Sequence, residues 1–280
     1  MNKYKVLIVS TKYWKPHEDY LKNIVHGIEG KIADGDFLVI SEKAISTAKN
    51  NIADEEPLKP GRNARIIARF WMPIIWGYFL GVLCRFQRKT IERLRDYPFK
   101  YGSRHKQLVL QKCGLLQALM FGSEGGIDGS NLPYSYVSLT LENAEKVAED
   151  IHAYLWQQLR RKACVLIVDT DKTYSIRGFH FTPRPKPIKS IASFGGVFSY
   201  VGGRMLRLRR RATPVAVAGY RLNVETALEI ADVANRARSY GAGRTVWDMA
   251  EKFDTDLAQV TWEMLETVKH KPIVIVRRKR

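Results

Sequence analysis

The chain has 280 residues, and 46 lysines and arginines against 28 aspartates and glutamates give it a net charge of +18. With 45% hydrophobic and 26% charged residues, it is typical of globular proteins and unlike disordered tails or fibres. Its three cysteines include no CxxC spacing, which argues against a disulfide framework or a thiolate zinc site and favours a cytoplasmic protein. No segment resembles a targeting signal.

Segments rich in valine and isoleucine predict buried strands at Tyr4–Val9 and Phe37–Ile40. The pattern over Ala64–Gln117 is mostly helical. It contains the longest apolar run, Phe70–Cys84, whose 15 residues fall short of the roughly 20 needed to span a bilayer. We therefore expect this run to form a buried helix or a subunit interface, and we predict no membrane partner. His105 is flanked by cations and is expected to be solvated.

The loop Gly122–Pro133 contains four glycines and two acidic residues, so its backbone N–H groups could approach a ligand closely. After it, apolar residues at helical spacing predict a helix over Glu142–Lys162. The apolar strand Cys164–Val168 follows, and we expect it to end at Asp169. Strand, glycine-rich loop, helix and strand in this order predict an α/β protein.

The second half contains an arginine-rich run, Arg204–Arg211, in which leucine and methionine alternate with the cations. The alternation predicts a strand with one basic face, which is either solvated or attracts an anion. Asn223 is expected to cap a helix that runs to Ser239, with Gly241 after its end. A nucleic-acid-binding role rests only on the charge and this run, because the aromatic residues or fold motif that usually accompany such binding are missing.

Two acidic residues stand out as candidate metal ligands. Asp128 lies in the glycine-rich loop, and Asp169 follows an apolar strand, where ligands of open α/β sheets gather. With Thr170 beside Asp169 and Glu124 near Asp128, they offer the oxygen ligands that Mg²⁺ or Mn²⁺ prefers, often together with a phosphate. The alternative is that both aspartates only cap turns.

Four stretches, in this order, resemble the coenzyme F420-0:L-glutamate ligase (F420 gamma-glutamyl ligase) family: Gly35–Ala48, Gly126–Pro133, Val165–Thr170 and Ala231–Asn235. The resemblance implies a two-lobed mixed α/β fold that dimerises, over residues 1–250, with an enlarged helical insertion at about 64–117. Residues 251–280 are then expected to form a C-terminal helix and a basic tail.

Carried over to matching positions, the resemblance implies that Asp128 and Asp169 hold a first metal ion and that Thr170 binds a second one. It also implies that Asn131 contacts GTP, and it places two further residues near the nucleotide, Ser41 and Glu42.

Two positions depart from the family pattern. Thr47 stands where a lysine is usual, and Tyr240 aligns near a glutamate that binds the second metal ion. We hypothesise that the losses are compensated by additional acidic metal ligands, Glu124 and Asp171, or by two cations that hold phosphate groups, Lys172 and Arg204.

The activity implied is formation of a γ-glutamyl amide bond on coenzyme F420-0 or a related phosphorylated acceptor. GTP transfers its γ-phosphoryl group to a carboxylate of the acceptor, and the amine of L-glutamate then displaces phosphate from the acyl phosphate. The expected partners are a nucleotide, L-glutamate, an anionic deazaflavin-type acceptor and a second copy of the chain. A non-catalytic or redirected paralogue that binds a nucleotide or another phosphorylated ligand is the alternative, and a nucleic-acid-binding protein is a third possibility.

Overall fold

The structure is a computed structural model that describes residues 3–122 and 124–279, and it is mixed α/β, as predicted. The chain divides into two units. The first unit contains the residues up to Ala53, the segment Gly129–Thr170 and the residues from Arg211 onward. The second unit contains Asp54–Asp128 and Asp171–Arg210.

The sheet of the first unit confirms the strands predicted in the first half of the chain. Its strands lie in the order β1 (Tyr4–Thr11), β9 (His270–Arg278), β2 (Phe37–Ser41) and β5 (Cys164–Ile176). β9 runs antiparallel to both of its neighbours, whereas β2 and β5 are parallel, with Ser41 opposite Val168. Asp169, which follows Val168 on β5, therefore lies beside the carboxyl end of β2, where Ser41 is the last residue. In addition, β8 (Arg209–Ala218) pairs with β5, and β3 (Ile52–Asp54) pairs with β4 (Tyr136–Ser138).

β9 occupies the place where a basic tail was expected. Its central residues, Ile273–Val276, are buried between β1 and β2. All four are apolar, as expected for a strand that is buried on both faces of the sheet. The charged residues at its end are what suggested a solvated tail. Arg277 instead pairs with the buried Asp36, at 2.7 Å. The domain boundary at residue 250 stays a prediction.

The described residues of the first unit include six helices. Asn223 caps α10 as predicted, since its side chain accepts a hydrogen bond from the backbone of Thr226. α8 is shorter than predicted and ends at Leu159, because Arg160 adopts a left-handed conformation. The helices are α1 (Tyr20–Ile28), α2 (Glu42–Ala48), α8 (Ala144–Leu159), α10 (Val224–Arg238), α11 (Val246–Lys252) and α12 (Trp262–Glu266).

The prediction that the strand after Ala163 ends at Asp169 is wrong. β5 continues to Ile176, so Asp169, Thr170 and Asp171 lie within a strand. The continuation belongs to the second unit, where Tyr174 is buried and pairs with Phe181 of β6 (Phe179–Thr182). β6 in turn pairs with β7 (Ala192–Ser193).

The arginine-rich run is not a single strand. Arg204 lies in the last turn of α9 (Val197–Met205), and a strand begins only at Arg209. The helix continues to Met205. Gly203 lets its last turn pack closely on Tyr174, because a Cβ atom there would meet the tyrosine ring. A sequence pattern of period two cannot reveal this packing.

The second unit is mostly helical over 64–117, as predicted. It contains an aromatic cluster, in which the ring of Trp76 stacks on Phe86 at 5.7 Å and also contacts Phe121 and Tyr200. Its remaining helices are α3 (Arg62–Ile66), a π-helical segment (Ile67–Leu80), α4 (Gly81–Leu83), α5 (Arg88–Arg95), α6 (Phe99–Cys113) and α7 (Leu115–Ala118).

The segments α3, Ile67–Leu80 and α4 form one continuous helix, Arg62–Leu83, which we call the apolar helix. By length and composition it could cross a membrane. Only a third of its most apolar stretch is buried inside the protein. Of the two alternatives for Phe70–Cys84, a buried helix is wrong for one face, on which Phe70 and Phe79 are more than half exposed, and a subunit interface stays a prediction.

Candidate functional site

The junction of β2 and α2 carries the first two predicted nucleotide-binding residues. Ser41 ends β2 and Glu42 begins α2, where its buried carboxylate accepts a hydrogen bond from the backbone N–H of Leu141 at 3.0 Å. Lys43 follows and donates from Nζ to the carbonyl and the hydroxyl oxygen of Ser130, both at 2.8 Å. These bonds hold the junction against the end of the glycine-rich loop.

Asn131 is the third predicted nucleotide-binding residue, and it connects this loop to the segment after α10. Its backbone is left-handed, which asparagine tolerates better than most residues. Its Oδ1 accepts from the backbone of Ala242 at 2.6 Å, and its Nδ2 donates to the carbonyl of Gly243 at 3.0 Å. The hydroxyl of Tyr13 donates to its backbone carbonyl. Oδ1 and Nδ2 can each form one further hydrogen bond, so these contacts leave room for the predicted contact between Asn131 and a nucleotide.

Gly241 is required for the approach of Asn131. Its φ of +61° favours glycine, and a Cβ atom there would lie 2.5 Å from Oδ1 of Asn131. The neighbouring Tyr240 is exposed, and its hydroxyl accepts from Arg244, whose guanidinium lies 4.1 Å from the ring centre. The position at which the family pattern has a metal-binding glutamate thus carries an aromatic ring held by a cation.

Thr47, the other departure from the family pattern, is buried in α2. Its hydroxyl donates to the carbonyl of Lys43 at 2.9 Å, within the same helix. Threonine hydroxyls commonly make this bond one turn back along a helix. The side chain therefore supplies no charge for a ligand.

Asp169 and Thr170 lie together on β5, with Thr170 Oγ1 3.5 Å from Asp169 Oδ1. The charge of Asp169 acts on Arg238, at the end of α10. Burial lowers the pKa of Arg238, and the carboxylate of Asp169 opposes that effect by favouring the charged form. A cation therefore lies within electrostatic range of Asp169 in the first unit.

The first unit thus brings several predicted site residues together. The parallel pairing of β2 and β5 sets Ser41 beside the residue that precedes Asp169, and Lys43 links α2 to Ser130, next to Asn131. Asp128 belongs to the second unit, so a shared metal site with Asp169 stays a prediction.

Glu124 lies in a buried group of four charged side chains in the second unit, the charge cluster Glu55, His105, Lys106 and Glu124. Its Oε2 is 2.9 Å from His105 Nε2 and 2.9 Å from Lys106 Nζ. His105 Nδ1 lies 2.6 Å from Glu55 Oε1, and Lys106 Nζ also donates to the carbonyl of Met120 at 2.7 Å. A carboxylate held by two cations is a poor ligand for a third, so Glu124 does not fit the metal role.

Both ring nitrogens of His105 face carboxylates, which is the arrangement of a protonated imidazolium. Burial alone lowers the pKa of His105, but Glu55 and Glu124 more than offset it and raise the pKa to about 10. The expectation that His105 is solvated is wrong, because these two partners are not its neighbours in the sequence. Burial lowers the pKa of Lys106. For Glu124, burial raises the pKa, but the two cations Lys106 and His105 lower it by more, so that the net change is a decrease.

The two predicted phosphate-binding cations lie in the second unit. The carbonyl of Lys172, on β5, accepts from the hydroxyl of Thr182 at 3.1 Å. The guanidinium of Arg204 lies 4.8 Å from the ring centres of both Phe86 and Tyr200. Arg204 also lines an arginine-rich cavity, which suits an anion.

Asp169 and Thr170 of the first unit offer oxygen atoms, the ligand type that Mg²⁺ or Mn²⁺ prefers, and a contribution from Asp128 stays a prediction. Within residues 3–122 and 124–279, no three histidine, cysteine, aspartate or glutamate side chains are grouped as a metal site. Mg²⁺ is commonly held by one or two carboxylates, substrate phosphates and water, so a cage made only of protein is not required. The residues therefore fit a metal that binds together with a nucleotide.

Comparison with known proteins agrees with three of the four motifs, since the family match does not reach Ala231–Asn235. The family described as F420-0:gamma-glutamyl ligase matches residues 8–180 of the chain. The chain belongs to this family. An uncharacterized protein of Methanocaldococcus jannaschii is 33% identical over 281 residues, which cover 96% of this chain and 94% of that protein. The match to the F420-0:gamma-glutamyl ligase family includes Asp128, Asn131 and Asp169, whereas Arg204 and Tyr240 lie beyond it.

Sequence reasoning missed two cations of the first unit. Lys43 adjoins Glu42 in the stretch Gly35–Ala48, which resembles the ligase family, so the sequence already indicated that it lies near the site. Arg238 lies in the last turn of a predicted helix, where a cation is ordinary, and only the fold brings it near Asp169.

Proposed function

We propose that this protein is a GTP- and divalent-metal-dependent ligase that forms a γ-glutamyl amide bond on coenzyme F420-0 or a related phosphorylated acceptor. Family membership supports the ligase chemistry. The observation that carries the nucleotide role is the linkage of three segments in the first unit: Lys43 binds Ser130, and Asn131 binds Ala242 and Gly243. This linkage fixes the predicted nucleotide-binding residues with respect to one another.

The residues of the chain would act by position and charge. Asp169 and Thr170, with Asp128, would hold Mg²⁺ or Mn²⁺, which when bound would offset negative charge on the phosphates. Ser41, Glu42 and Asn131 would orient GTP. Lys172 would bind an anionic group of the substrates, and Arg204 lines a cavity that suits a phosphate of a substrate or of another ligand.

The decisive test is product formation by the purified protein. With GTP, Mn²⁺, L-glutamate and F420-0, we expect release of GDP and phosphate and a product one glutamate heavier in mass spectrometry. Asp169→Asn should abolish turnover, and Asp150→Asn, an exposed change on α8, should not. Absence of product with both GTP and ATP would refute the ligase.

The metal site can be tested separately by calorimetric titration with Mn²⁺ in the presence of GTP. Asp128→Asn and Asp169→Asn should each weaken Mn²⁺ binding, because the proposal assigns both carboxylates to the metal. Loss in only one variant would contradict a shared site. Glu124→Gln should leave the affinity unchanged if the variant remains folded, since Glu124 is held by His105 and Lys106.

A second candidate is a paralogue that binds a nucleotide without turnover. It is favoured by Tyr240, which replaces an acidic metal ligand, and by the buried Thr47, which replaces a cation. A panel of nucleotides with and without Mn²⁺ would then raise the melting temperature, since a ligand that binds only the native state stabilises it. The same nucleotides would give no product.

We also propose that the protein is a cytoplasmic homodimer. Sedimentation velocity of the purified protein measures the assembly directly, and a monomer at micromolar concentration would contradict this part of the proposal.

A further inference from the structure

The apolar helix exposes a row of large apolar side chains. Their spacings of four, four, five and four residues match the π-helical segment, because a helix with i→i+5 hydrogen bonds has more than four residues per turn. They therefore lie along one face, which we call the apolar ridge. Its members are between 44% and 62% exposed: Ile66, Phe70, Ile74, Phe79 and Leu83.

The ridge continues onto the neighbouring helix of the same unit. α4, at the end of the apolar helix, packs beside α9. At the end of α9, Met205 is 46% and Leu206 is 69% exposed. Single exposed apolar residues are common on protein surfaces, but a contiguous row of them marks an interaction surface.

An arginine-lined cavity lies where these two helices end. The guanidinium of Arg204 is held over the rings of Phe86 and Tyr200, and its Nε is buried without a hydrogen-bond acceptor in the described part of the chain. Among the described residues, the lining combines four arginines with no carboxylate, so the cavity is positively charged and suits an anion. The cavity has a volume of about 370 Å³ and is lined by Cys84, Arg85, Arg204, Arg207, Leu208 and Arg210.

The net charge is concentrated in the same unit. The second unit has 22 lysines and arginines against 8 aspartates and glutamates, a net charge of +14 out of +18 for the whole chain. The remaining +4 belongs to the first unit. The second unit, which carries the apolar ridge, therefore attracts anions as a whole.

Three kinds of partner can be compared with this chemistry. A second copy would bring the same +14 unit against itself in a two-fold interface, which repulsion disfavours. A nucleic acid would satisfy the arginines but would leave most of the apolar ridge in water. An anionic lipid surface satisfies both, since it offers phosphates at the level of the headgroups and apolar chains below them.

We propose that the second unit docks on the surface of an anionic lipid bilayer. The apolar ridge enters the boundary between headgroups and acyl chains, and a lipid phosphate enters the arginine-lined cavity. This inference replaces the expectation of no membrane partner, and it does not depend on the ligase activity.

The protein lies on the bilayer and does not span it. The opposite face of the apolar helix is built into the core of the second unit, where Met72 and Trp76 are fully buried. The indole N–H groups of Trp71 and Trp76 both donate to the carbonyl of Leu119, at 2.8 and 2.7 Å. Insertion across a bilayer would break this packing.

Flotation of the full chain with lipid vesicles tests the proposal. We expect the protein to float with vesicles of phosphatidylglycerol and phosphatidylcholine and to stay behind with phosphatidylcholine alone. Raising the salt concentration should weaken binding, since screening reduces attraction between exposed charges. Binding to neutral vesicles equal to that on anionic ones would overturn the proposal, as would no binding to either.

Variants locate the surface. Arg85→Gln and Arg207→Gln should each reduce vesicle partitioning about fivefold, the effect of one cation near an anionic surface. Phe79→Ser should reduce it about tenfold, through lost burial of the exposed ring. Matched changes in the first unit, Arg161→Gln and Trp156→Ser, should have little effect. Circular dichroism and melting temperature confirm that each variant is folded, and equal effects of both sets would overturn the proposal.

Competing partners give distinct results. If Phe79→Ser converts a dimer into a monomer while the wild-type protein ignores anionic vesicles, the ridge is a subunit interface and the proposal is wrong. Binding of random duplex DNA that depends on Arg85 and Arg207, without vesicle binding, would also refute it. Pyrophosphate that binds the free protein without any vesicle binding would make the cavity a site for a soluble phosphate and would overturn the membrane assignment.

Discussion

Replacing Glu124 with glutamine removes the carboxylate that two buried cations share. Oε2 of Glu124 lies 2.9 Å from both His105 Nε2 and Lys106 Nζ, and Lys106 is fully buried. His105 retains Glu55 at 2.6 Å, whereas Lys106 keeps only the neutral carbonyl of Met120 among its described hydrogen-bond partners. Breaking a buried ion pair costs about 3–5 kcal/mol. Because one of the two cations remains paired, we expect about 3 kcal/mol for Glu124→Gln.

Urea unfolding at pH 7, followed by circular dichroism, measures this cost. Glu92→Gln is the matched control, because Glu92 makes an exposed pair with Arg88 on α5, and such pairs contribute less than about 1 kcal/mol. The double variant Glu124→Gln/Lys106→Met removes the unpaired charge as well and should recover most of the loss. A cost below about 1 kcal/mol for Glu124→Gln, or strictly additive effects in the double variant, would refute a coupled buried ion pair.

Three further predictions concern pH, packing and thiol reactivity. Since the pKa of His105 rises from 6.5 to about 10 on folding, the native state binds the extra proton between these values, and the free energy of unfolding should fall as pH rises through this window. The slope should reach about 1.4 kcal/mol per pH unit and be shallower in His105→Gln; an equal slope in both would contradict the assignment. Gly203→Ala should destabilise by about 1–3 kcal/mol, because its Cβ meets the ring of Tyr174, while Gly202→Ala, with open space, should stabilise by about 0.5–1 kcal/mol; thermal melting that ranks them otherwise would refute this packing. Burial raises the pKa of Cys84 and Cys164 to about 11, so neither should react with a thiol reagent at pH 8 until the protein unfolds. Rapid labelling of either of these two cysteines in the native protein, located by peptide mass spectrometry, would be the contrary result, since Cys113 is less buried and is left out of the test.

The sequence by itself determined the local elements and the family. Val- and Ile-rich segments predicted β1 and β2, and apolar residues at helical spacing predicted α8, whose ends differ by only a few residues from the prediction. Asn223 predicted the start of α10 because a capping side chain bonds to backbone only three residues away. These features depend on neighbours along the chain, and so does the motif around Asp128 and Asn131.

Only the tertiary structure decided which charges are paired and which apolar faces are covered. His105 has cations on both sides in the sequence, but folding brings it between two carboxylates, one of them fifty residues away. The apolar helix is apolar on all sides, so its composition cannot indicate that Trp76 is buried while Phe79 is exposed. The basic residues at the end of β9 suggested a tail, whereas this segment is a strand that pairs with β1, from the opposite end of the chain. Pairing and burial depend on groups distant in sequence, and a local pattern carries no information about where those groups lie.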